Sequence, residues 1–351
     1  MNLEELLDKV QHGEPIRHQD LRHLSLVQAD LAGATFEGVA FPTQLQGALL
    51  KESTFVECDF TGCQLDTANL HLATFYKCTL SSASFVEAKL IATNFAECNA
   101  ESAVFHRAEA PIATWVNTAL CKASFEGANL DRANLLESVC EEASFRNCNL
   151  EKATLYRADL RTADLTGANL SLTTLVEAMI GAKVFTSNKL FRTQFMRSEL
   201  GGSSFADMDV VQCNFMGADL REASFERARA PQCFFGETNL KKATLCDGMF
   251  PNGVFEKANV TEANFSGATL EEAYFGHAVA VGATFARAKL REANLSHADL
   301  TGADFTGAAM FRARFHRTKR DGVLLNPTAG WLGDDAELVA VEDWKTAREK
   351  E

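Results

Sequence analysis

Residues 153–170 read ATLYRADLRTADLTGANL, and this stretch follows a five-residue rule. Leucine stands at every fifth position, and alanine stands two residues before each leucine. The rule holds from residue 45 to residue 315 as 55 consecutive pentads, in which the fifth position, here called the centre, is mostly Leu or Phe. An internal repeat of this length decides the fold before any other feature does.

The position two residues before each centre, here called the small site, is almost always small. Between Ala48 and Ala313 there are 54 small sites, of which 33 are Ala and 7 are Cys. The exceptions by size are Lys183, Asn188 and Met208. A period of five suits neither an α-helix nor a flat strand. It suits a chain that turns one corner per pentad, with the centre and the small site pointing inward.

Four such corners would close a square coil of 20 residues, and the phenylalanines support this. Two opposite walls, with centres at 45, 65, 85 and onward and at 55, 75, 95 and onward, hold 19 Phe in 28 centres. The other two walls hold only Phe60 and Phe250 in 27 centres. An earlier run of centres, from Leu21 to Phe41, keeps the rule one residue out of phase, so the sequence predicts a slip at residues 41–45.

Triplets such as Ala168-Asn169-Leu170, repeated through most of the chain, resemble the core motif of the pentapeptide-repeat protein family. The resemblance implies an all-β solenoid, a right-handed quadrilateral β-helix with short helical caps. We expect an N-terminal helical cap at residues 1–15, the β-helix at 16–325, and a C-terminal cap or helix at 326–351. In some relatives the C-terminal segment pairs two chains, so a homodimer through this segment is an alternative to plain capping.

The caps have their own sequence signals. Leu3, Leu6, Leu7 and Val10 are spaced for a short amphipathic helix, which Gly13 and Pro15 would end. Asp334 or Asp335 could serve as the N-cap of a second helix. We expect Leu338, Val341 and Trp344 to share one face of that helix, and Trp331 and Trp344 to close the last coil.

Composition and charge exclude several classes of function. The net charge of −13 argues against direct nucleic-acid binding and against adhesion to anionic lipid. The acidic start of the chain is too polar for a secretory signal, and no apolar run could span a bilayer, so a cytoplasmic protein is expected. No nucleotide fingerprint, phosphate loop or nucleophilic triad is present in the sequence, so we expect neither catalysis nor a cofactor.

Cysteine and histidine are the remaining candidates for chemistry. Seven of the ten cysteines occupy small sites and Cys140 is a centre, which favours structural filling over redox or metal chemistry. His277 and His297 should lie one coil apart on an outward column, where stacked imidazoles could hold a metal. No third ligand recurs beside them in the sequence, so solvated surface residues are the favoured interpretation and no metal site is predicted.

The wall with centres at 55, 75 and 95 carries the strongest functional signal. Just after its centres lies an outward apolar column, bordered by charges of nearly alternating sign from Glu57 to Arg197. Apolar stripes rimmed by charge mark interaction surfaces, although lateral packing of the column is an alternative. The predicted partner surface consists of Val56, Tyr76, Val116, Leu136, Tyr156, Val176, Met196 and Met216.

A Leu-lined wall carries a second candidate patch, made of Pro111, Ile112, Phe191, Pro231, Met249 and Pro251. Because proline lacks the ladder donor, the alternative is a local change of backbone at these sites. Near residues 181–185 we expect a bulge that turns Lys183 to solvent, and a small polar pocket is the rival interpretation.

The sequence therefore favours a non-catalytic protein-binding rod of unidentified partner. By family analogy it would be an adaptor or accessory scaffold, and more specifically one of a bacterial secretion or effector-delivery system. The alternative is a DNA mimic that binds DNA gyrase or another topoisomerase, as the fluoroquinolone-resistance members of this family do. Bases such as Arg107, Arg146, Arg161 and Arg221 interrupt the acidic walls and weigh against it. A secreted effector or structural spacer is neither supported nor excluded.

Overall fold

The computed structural model describes residues 1–185, 187–325 and 330–348, with side chains as far as residue 345. Contacts divide the chain into two compact units. The first unit comprises Met1–Gly181 and Ser187–Gln194, and the second comprises Ala182–Thr186 and Phe195–Glu351. In both units, residues twenty apart pair in parallel, which is the spacing predicted for a four-cornered coil.

The first unit contains one helix and one parallel sheet of seven short strands, which follow one another in chain order. The sheet forms the wall whose centres are 55, 75 and 95, and isolated bridges pair the other walls. The elements are α1 (Leu3–Gln11), β1 (Ile16–Arg17), β2 (Thr35–Glu37), β3 (Thr54–Val56), β4 (Thr74–Tyr76), β5 (Asn94–Ala96), β6 (Thr114–Val116) and β7 (Asn134–Leu136).

The predicted slip in the repeat is confirmed by the strand register. Phe55 pairs with Phe75 at an interval of twenty, whereas Phe36 pairs with Phe55 at an interval of nineteen. The bridge between Gln44 and Gln64 returns to twenty. One coil is therefore a residue short, and the centres stay in line because the deletion falls at a corner.

Phenylalanine rings fill the interior as the wall assignment predicted. Phe85 and Phe105 stack with ring centroids 4.8 Å apart and planes 4° apart. In the second unit, Phe205 and Phe215 come from opposite walls and meet edge to face at 5.5 Å. Stacking along each wall and edge contacts between walls are both favourable aromatic geometries. Such rings form much of the apolar interior of each unit, and buried leucines such as Leu155, Leu165 and Leu175 fill the stretch between Phe145 and Phe185.

Most corners of the coil are tight turns with a left-handed residue. The N–H of the small site Ala48 donates to the centre carbonyl of Leu45 at 3.1 Å, and the residue between them in the turn, Gly47, has a φ of 66°. Such a turn tolerates proline directly after the centre, since that N–H is not needed. Pro111 occupies this position, and its carbonyl still accepts the N–H of Ala92. Pro111 therefore keeps the ordinary turn, and the alternative of a local backbone change does not hold at this position.

The N-terminal helix α1 begins with a reciprocal cap. Asn2 accepts the N–H of Glu5 at 2.9 Å, and the Glu5 carboxylate accepts the N–H of Asn2 at 3.0 Å. Leu6 is its fully buried side chain, whereas Leu3 is 39% exposed. The helix therefore anchors itself through one central leucine.

The C-terminal helix α2 (Ala336–Arg348) does not bury its apolar face against the last coil, as had been expected. Asp335 caps it, accepting the N–H groups of Glu337 and Leu338. Trp331 lies 5.3 Å from the Phe315 ring and does cover the last coil. Trp344 is 57% exposed, so its predicted role in closing that coil was wrong; Leu338 and Val341 are exposed as well. The ion pairs of the helix turn this face outward.

The structure also bears on the predicted C-terminal boundary and on the two bulky residues at small sites, Lys183 and Asn188. The predicted boundary between residues 325 and 326 adjoins residues 326–329, which lie outside the described residues. Asn188 fits a small site after all, because its Nδ2 donates to the carbonyls of Leu165 at 2.6 Å and Ala168 at 3.1 Å. Lys183 is half-buried in the second unit. No helix among the described residues is long and apolar enough to cross a membrane.

Candidate protein-interaction surface

The sheet of the first unit positions the predicted apolar column. In each strand the centre is buried and the next residue points outward, since side chains alternate along a strand. Strand register places Val56 beside Tyr76 and Val116 beside Leu136. Tyr76, at 36%, is the most exposed member. We call these residues the strand-wall column: Val56, Tyr76, Ala96, Val116, Leu136, Tyr156 and Val176.

A row of charged side chains borders this column along the first unit. Lys77 Nζ lies 3.8 Å from the Glu97 carboxylate. Arg157 reaches both neighbouring coils, at 3.9 Å from Glu137 and 2.8 Å from Glu177. The hydrogen bond with Glu177 is the main reason why the pKa of Arg157 is raised. The row, here called the charge ladder, comprises Glu57, Lys77, Glu97, Asn117, Glu137, Arg157 and Glu177.

The charge ladder also fixes the two tyrosines of the column. Lys77 Nζ lies 5.0 Å from the centroid of the Tyr76 ring, and the Arg157 guanidinium lies 4.9 Å from that of Tyr156. The Tyr156 hydroxyl donates to Glu177 at 3.3 Å. Cations over aromatic faces restrain the rings at modest energy. The tyrosines are therefore ordered before any partner arrives, which lowers the entropy lost on binding.

The second unit holds the last two predicted column residues and an apolar group that the sequence interpretation missed. Met216 is 42% exposed, and Phe234 is 52% exposed at a position that carries Thr or Asn in most of the preceding coils. Phe234 pairs with Val254, which pairs with Tyr274. Gly276 leaves room for the Tyr274 ring, since a Cβ at that position would overlap the tyrosine oxygen. The adjacent phenylalanines at 234 and 235 were the available sequence signal.

The predicted second patch is less continuous. Ile112 and Phe191 in the first unit are 48% and 46% exposed, and Met249 in the second is 46% exposed. Pro111, Pro231 and Pro251 are half-buried. Pro111 and Pro251 have a sufficient explanation as turn residues, since the N–H groups of Ala113 and Gly253 close the turns that contain them. The strand-wall column therefore remains the better candidate.

Burial makes Cys63 and Cys148 poor nucleophiles. Burial raises the pKa of the Cys63 thiol to about 12 and that of Cys148 to about 12. The thiolate is the reactive form of cysteine, and it is disfavoured at such sites. None of the ten cysteines forms a disulfide bond in the described part of the chain. Cys121 and Cys246 are the two that reach solvent, as predicted.

The two predicted histidines do lie together, and they have neighbours that the pentad rule did not reveal. The rings of His277 and His297 stack at 4.7 Å with planes 9° apart. His316 meets His297 edge to face at 5.5 Å, and Glu342 of α2 approaches both. The statement that no third ligand lies beside them was therefore wrong, because the extra groups come from the last coil and from outside the repeat.

The family model described as pentapeptide repeats matches the chain in eight copies. The matched residues are 43–81, 143–178, 198–236, 218–245, 238–276, 270–307 and 281–317, which together cover more than half of the chain. This protein therefore belongs to the pentapeptide-repeat family, and its fold is the right-handed quadrilateral β-helix of that family. No curated protein matches the chain.

Several solved structures are similar to it at low identity. A trypsin-treated variant of QnrB1, a plasmid-mediated fluoroquinolone resistance protein, is 21% identical, covering 50% of this chain and 90% of its own, with a TM-score of 0.36. HetL, involved in heterocyst differentiation regulation in the cyanobacterium Nostoc sp. strain PCC 7120, is 23% identical over 89% of this chain and 96% of its own, with a TM-score of 0.16. A pentapeptide repeat protein from the Arabidopsis thaliana thylakoid lumen is 25% identical over 39% and 84%, with a TM-score of 0.16.

Proposed function

We propose that this chain is a non-catalytic scaffold that binds a protein partner along the strand-wall column. The observation that carries the proposal is the column itself, an in-register row of outward apolar side chains on a parallel sheet. Tyrosine, which the column carries at Tyr76 and Tyr156, is enriched at protein interfaces, where it adds apolar area and keeps a polar contact. The partner would present an apolar strip flanked by charges that complement the charge ladder.

The charge ladder argues against the alternative of a DNA mimic. A DNA duplex carries one negative charge per roughly 1.7 Å of its axis. Neighbouring coils are spaced by about 4.8 Å, the usual strand separation. The ladder also places cations at Lys77 and Arg157 between its acids. A surface with sparse and interrupted negative charge is a poor imitation of a phosphate backbone.

The cellular role, the location and the oligomeric state of the protein stay predictions. An adaptor of a bacterial secretion or effector-delivery system, and a cytoplasmic location, are carried by the family resemblance and composition alone. A homodimer through the C-terminal segment also stays a prediction. The outward apolar face of α2, with Leu338, Val341 and Trp344 all exposed, supports it.

The proposal is tested by placing charges on the column. The double variant Tyr76→Glu, Val116→Glu should lose at least tenfold in partner recovery when the tagged chain is purified and its partners are quantified. Buried charge without a partner is costly at an interface. The matched control is Leu72→Glu, Val139→Glu, which alters two exposed apolar residues on other walls of the same unit.

Recovery with the control should equal that of the unmodified chain. Circular dichroism should show the same strand content in all three proteins. Equal recovery with both double variants would remove the strand-wall column as the docking surface.

A further inference from the structure

A compact group of metal-ligating side chains lies at the C-terminal end of the second unit. One ligand atom from each of His297, His316 and Glu342 lies within 4.8 Å of the other two. His297 Nε2 is 3.3 Å from one carboxylate oxygen of Glu342, and His316 Nε2 is 3.3 Å from the other. In a tetrahedral site with bonds of roughly 2.0–2.1 Å, neighbouring ligand atoms are about 3.3 Å apart.

The fold brings these groups together from separate parts of the chain. The backbone N–H of His297 donates to the carbonyl of His316 at 2.8 Å, so the two histidines sit on adjacent coils. Helix α2 then brings Glu342 over them. His316 is only 4% exposed, whereas the side chains of His297 and Glu342 are 30% and 25% exposed. A fixed buried ligand and two adjustable ones leave an open side for the ion to enter.

The surrounding charges orient the Glu342 carboxylate and favour a cation beside it. Arg317 Nε donates to Oε2 of Glu342 at 3.1 Å, while Oε1 faces His297 Nε2. Arg317 also pairs with Asp343. Three carboxylates and two guanidinium groups form the ion pairs beside the histidines: Asp334, Glu342 and Asp343 with Arg317 and Arg320.

We propose that His297, His316 and Glu342 form a binding site for a divalent transition-metal ion of the Zn²⁺ type. Two imidazoles and one carboxylate suit Zn²⁺, and they do not suit Mg²⁺ or Ca²⁺, which prefer all-oxygen sites. Solvent would supply the fourth ligand. The site is independent of the strand-wall column, which lies on the first unit.

Metal binding requires a change of tautomer at His316. In this structure the N–H of Asp335 donates to His316 Nδ1 at 3.1 Å, so the ring proton is on Nε2, facing Glu342. An ion on Nε2 forces that proton to Nδ1, where the Asp335 N–H now points. The acceptor within reach is Asp334, whose carboxylate lies 4.0 Å from Nδ1. Carboxylates behind a metal-bound histidine are a common supporting arrangement.

The tautomer change couples the ion to the start of α2. Asp335 is the N-cap of that helix, and Asp334 also accepts the backbone N–H of Arg317 at 2.6 Å. Loading the site would exchange the Asp335 contact for one from Asp334 and add a metal bond to Glu342. The bound ion therefore fastens α2 to the last coils more firmly than its present ion pairs do.

The test uses the full chain, stripped with a chelator and titrated with Zn²⁺ by calorimetry. One ion per chain should bind, Co²⁺ should give the visible absorption of a tetrahedral site, and Mg²⁺ should give no heat. Zn²⁺ should also slow amide hydrogen exchange in α2. His297→Ala and Glu342→Gln alter partly exposed residues and should each weaken Zn²⁺ binding at least a hundredfold.

Two further variants separate the site from general histidine binding and from folding. His71→Ala, on the first unit, should bind Zn²⁺ like the unmodified chain. Asp334→Asn is a positioning variant; we expect about tenfold weaker binding and loss of the Zn²⁺-dependent protection at the start of α2. The proposal is overturned if the unmodified chain binds no Zn²⁺, or if His297→Ala and Glu342→Gln bind it as tightly as His71→Ala.

Discussion

The wall of the strand-wall column is built differently in the two units, although the pentad rule is the same. In the second unit its corners are closed turns, in which the N–H of Ala218 donates to the centre carbonyl of Phe215 at 2.9 Å. In the first unit the corresponding residues after β3–β7 make no such turn bond within the described structure. There the N–H of Thr118 instead donates to the Ser138 hydroxyl of the next coil at 3.4 Å.

The residue types at the small sites of this wall also differ between the two units. Thr118 and Ser138 donate from their hydroxyls to the carbonyls of Phe95 and Trp115, one coil below, at 3.1 and 3.2 Å. Alanine could not make these bonds. The small sites after β3–β7 are Cys58, Cys78, Cys98, Thr118 and Ser138, whereas the second unit uses mainly alanine on the same wall, at Ala218, Ala258, Ala278 and Ala298. A non-alanine small site therefore accompanies each of the strands β3–β7. It does not by itself open the turn, since the N–H groups of Ser198 and Thr238 on the same wall donate to the carbonyls of Phe195 and Phe235 at 3.2 and 3.3 Å.

The largest expected effect tests whether core packing differs between the units. Phe75 stacks on Phe55 and Phe95 at 4.7 and 4.9 Å, and Phe215 stacks on Phe195 and Phe235 at 5.1 Å each. Phe75→Ala and Phe215→Ala should each cost about 3–5 kcal/mol of the free energy of unfolding, since each leaves a cavity. Urea denaturation, read together with amide exchange near each site, measures the loss.

The exposed Val139→Ala is the control and should change stability by no more than about 0.5 kcal/mol. The two phenylalanine variants should agree within about 1 kcal/mol. A loss confined to one unit would show that the strands or the turns, rather than the ring column, set the strength of the core.

The second prediction separates the two kinds of corner. Ser138→Ala removes the acceptor of the buried Thr118 N–H and should cost about 1–3 kcal/mol, because an unpaired buried donor carries its full desolvation penalty. Thr238→Val in the second unit removes a hydroxyl bond to Phe215 of 2.7 Å. There the carbonyl keeps the Ala218 N–H, so the expected cost is only about 1 kcal/mol. Amide exchange at residue 118 should accelerate in the first variant. Equal costs for the two variants would mean that the small-site hydroxyl matters no more at an open corner than at a closed one.

Much of this architecture could be predicted from the sequence, because a strict period fixes which residues stack. The wall assignment of Phe85 and Phe105 and the slip near Pro42 both follow from counting in fives. Corner type could not be predicted from the period, since both types keep five residues. The small sites from Cys58 to Ser138 are all non-alanine, but Ser198 and Thr238 show that such residues also fit closed turns, so residue type alone does not predict the corner.

The candidate site residues could likewise be predicted only where they lie within the repeat. The strand-wall column lies within the repeat, so the twenty-residue spacing that relates Val56 to Tyr76 was enough to predict its outward position. Glu342 lies outside the repeat, and no spacing rule relates it to His297. Helix α2 was expected to bury Trp344, but amphipathicity does not say which face a helix turns inward when ion pairs such as that of Arg317 and Asp343 hold the other face.

The smallest expected effect is on stability at acidic pH, and it tests whether one paired aspartate in each unit contributes alike. The bidentate hydrogen bond from Arg221 holds the pKa of Asp219 below its usual value in the second unit. In the first unit burial raises the pKa of Asp164, but hydrogen bonds from Thr166 and Arg146 outweigh this and lower it. A lowered pKa stabilises the fold above the unfolded value of about 3.9, and this contribution is lost as pH falls through the folded pKa.

Asp219→Asn and Asp164→Asn should therefore each lower stability at pH 7, by at most about 1 kcal/mol, because both carboxylates are partly solvent-screened. Their difference from the unmodified chain should vanish below the folded pKa, where the native carboxyl is also neutral. Denaturation at neutral and at strongly acidic pH measures this. A deficit that persists in acid would mean that the asparagine disturbs the turn itself, since Asp219 also accepts the N–H of Arg221 at 3.2 Å, and that charge pairing contributes little in either unit.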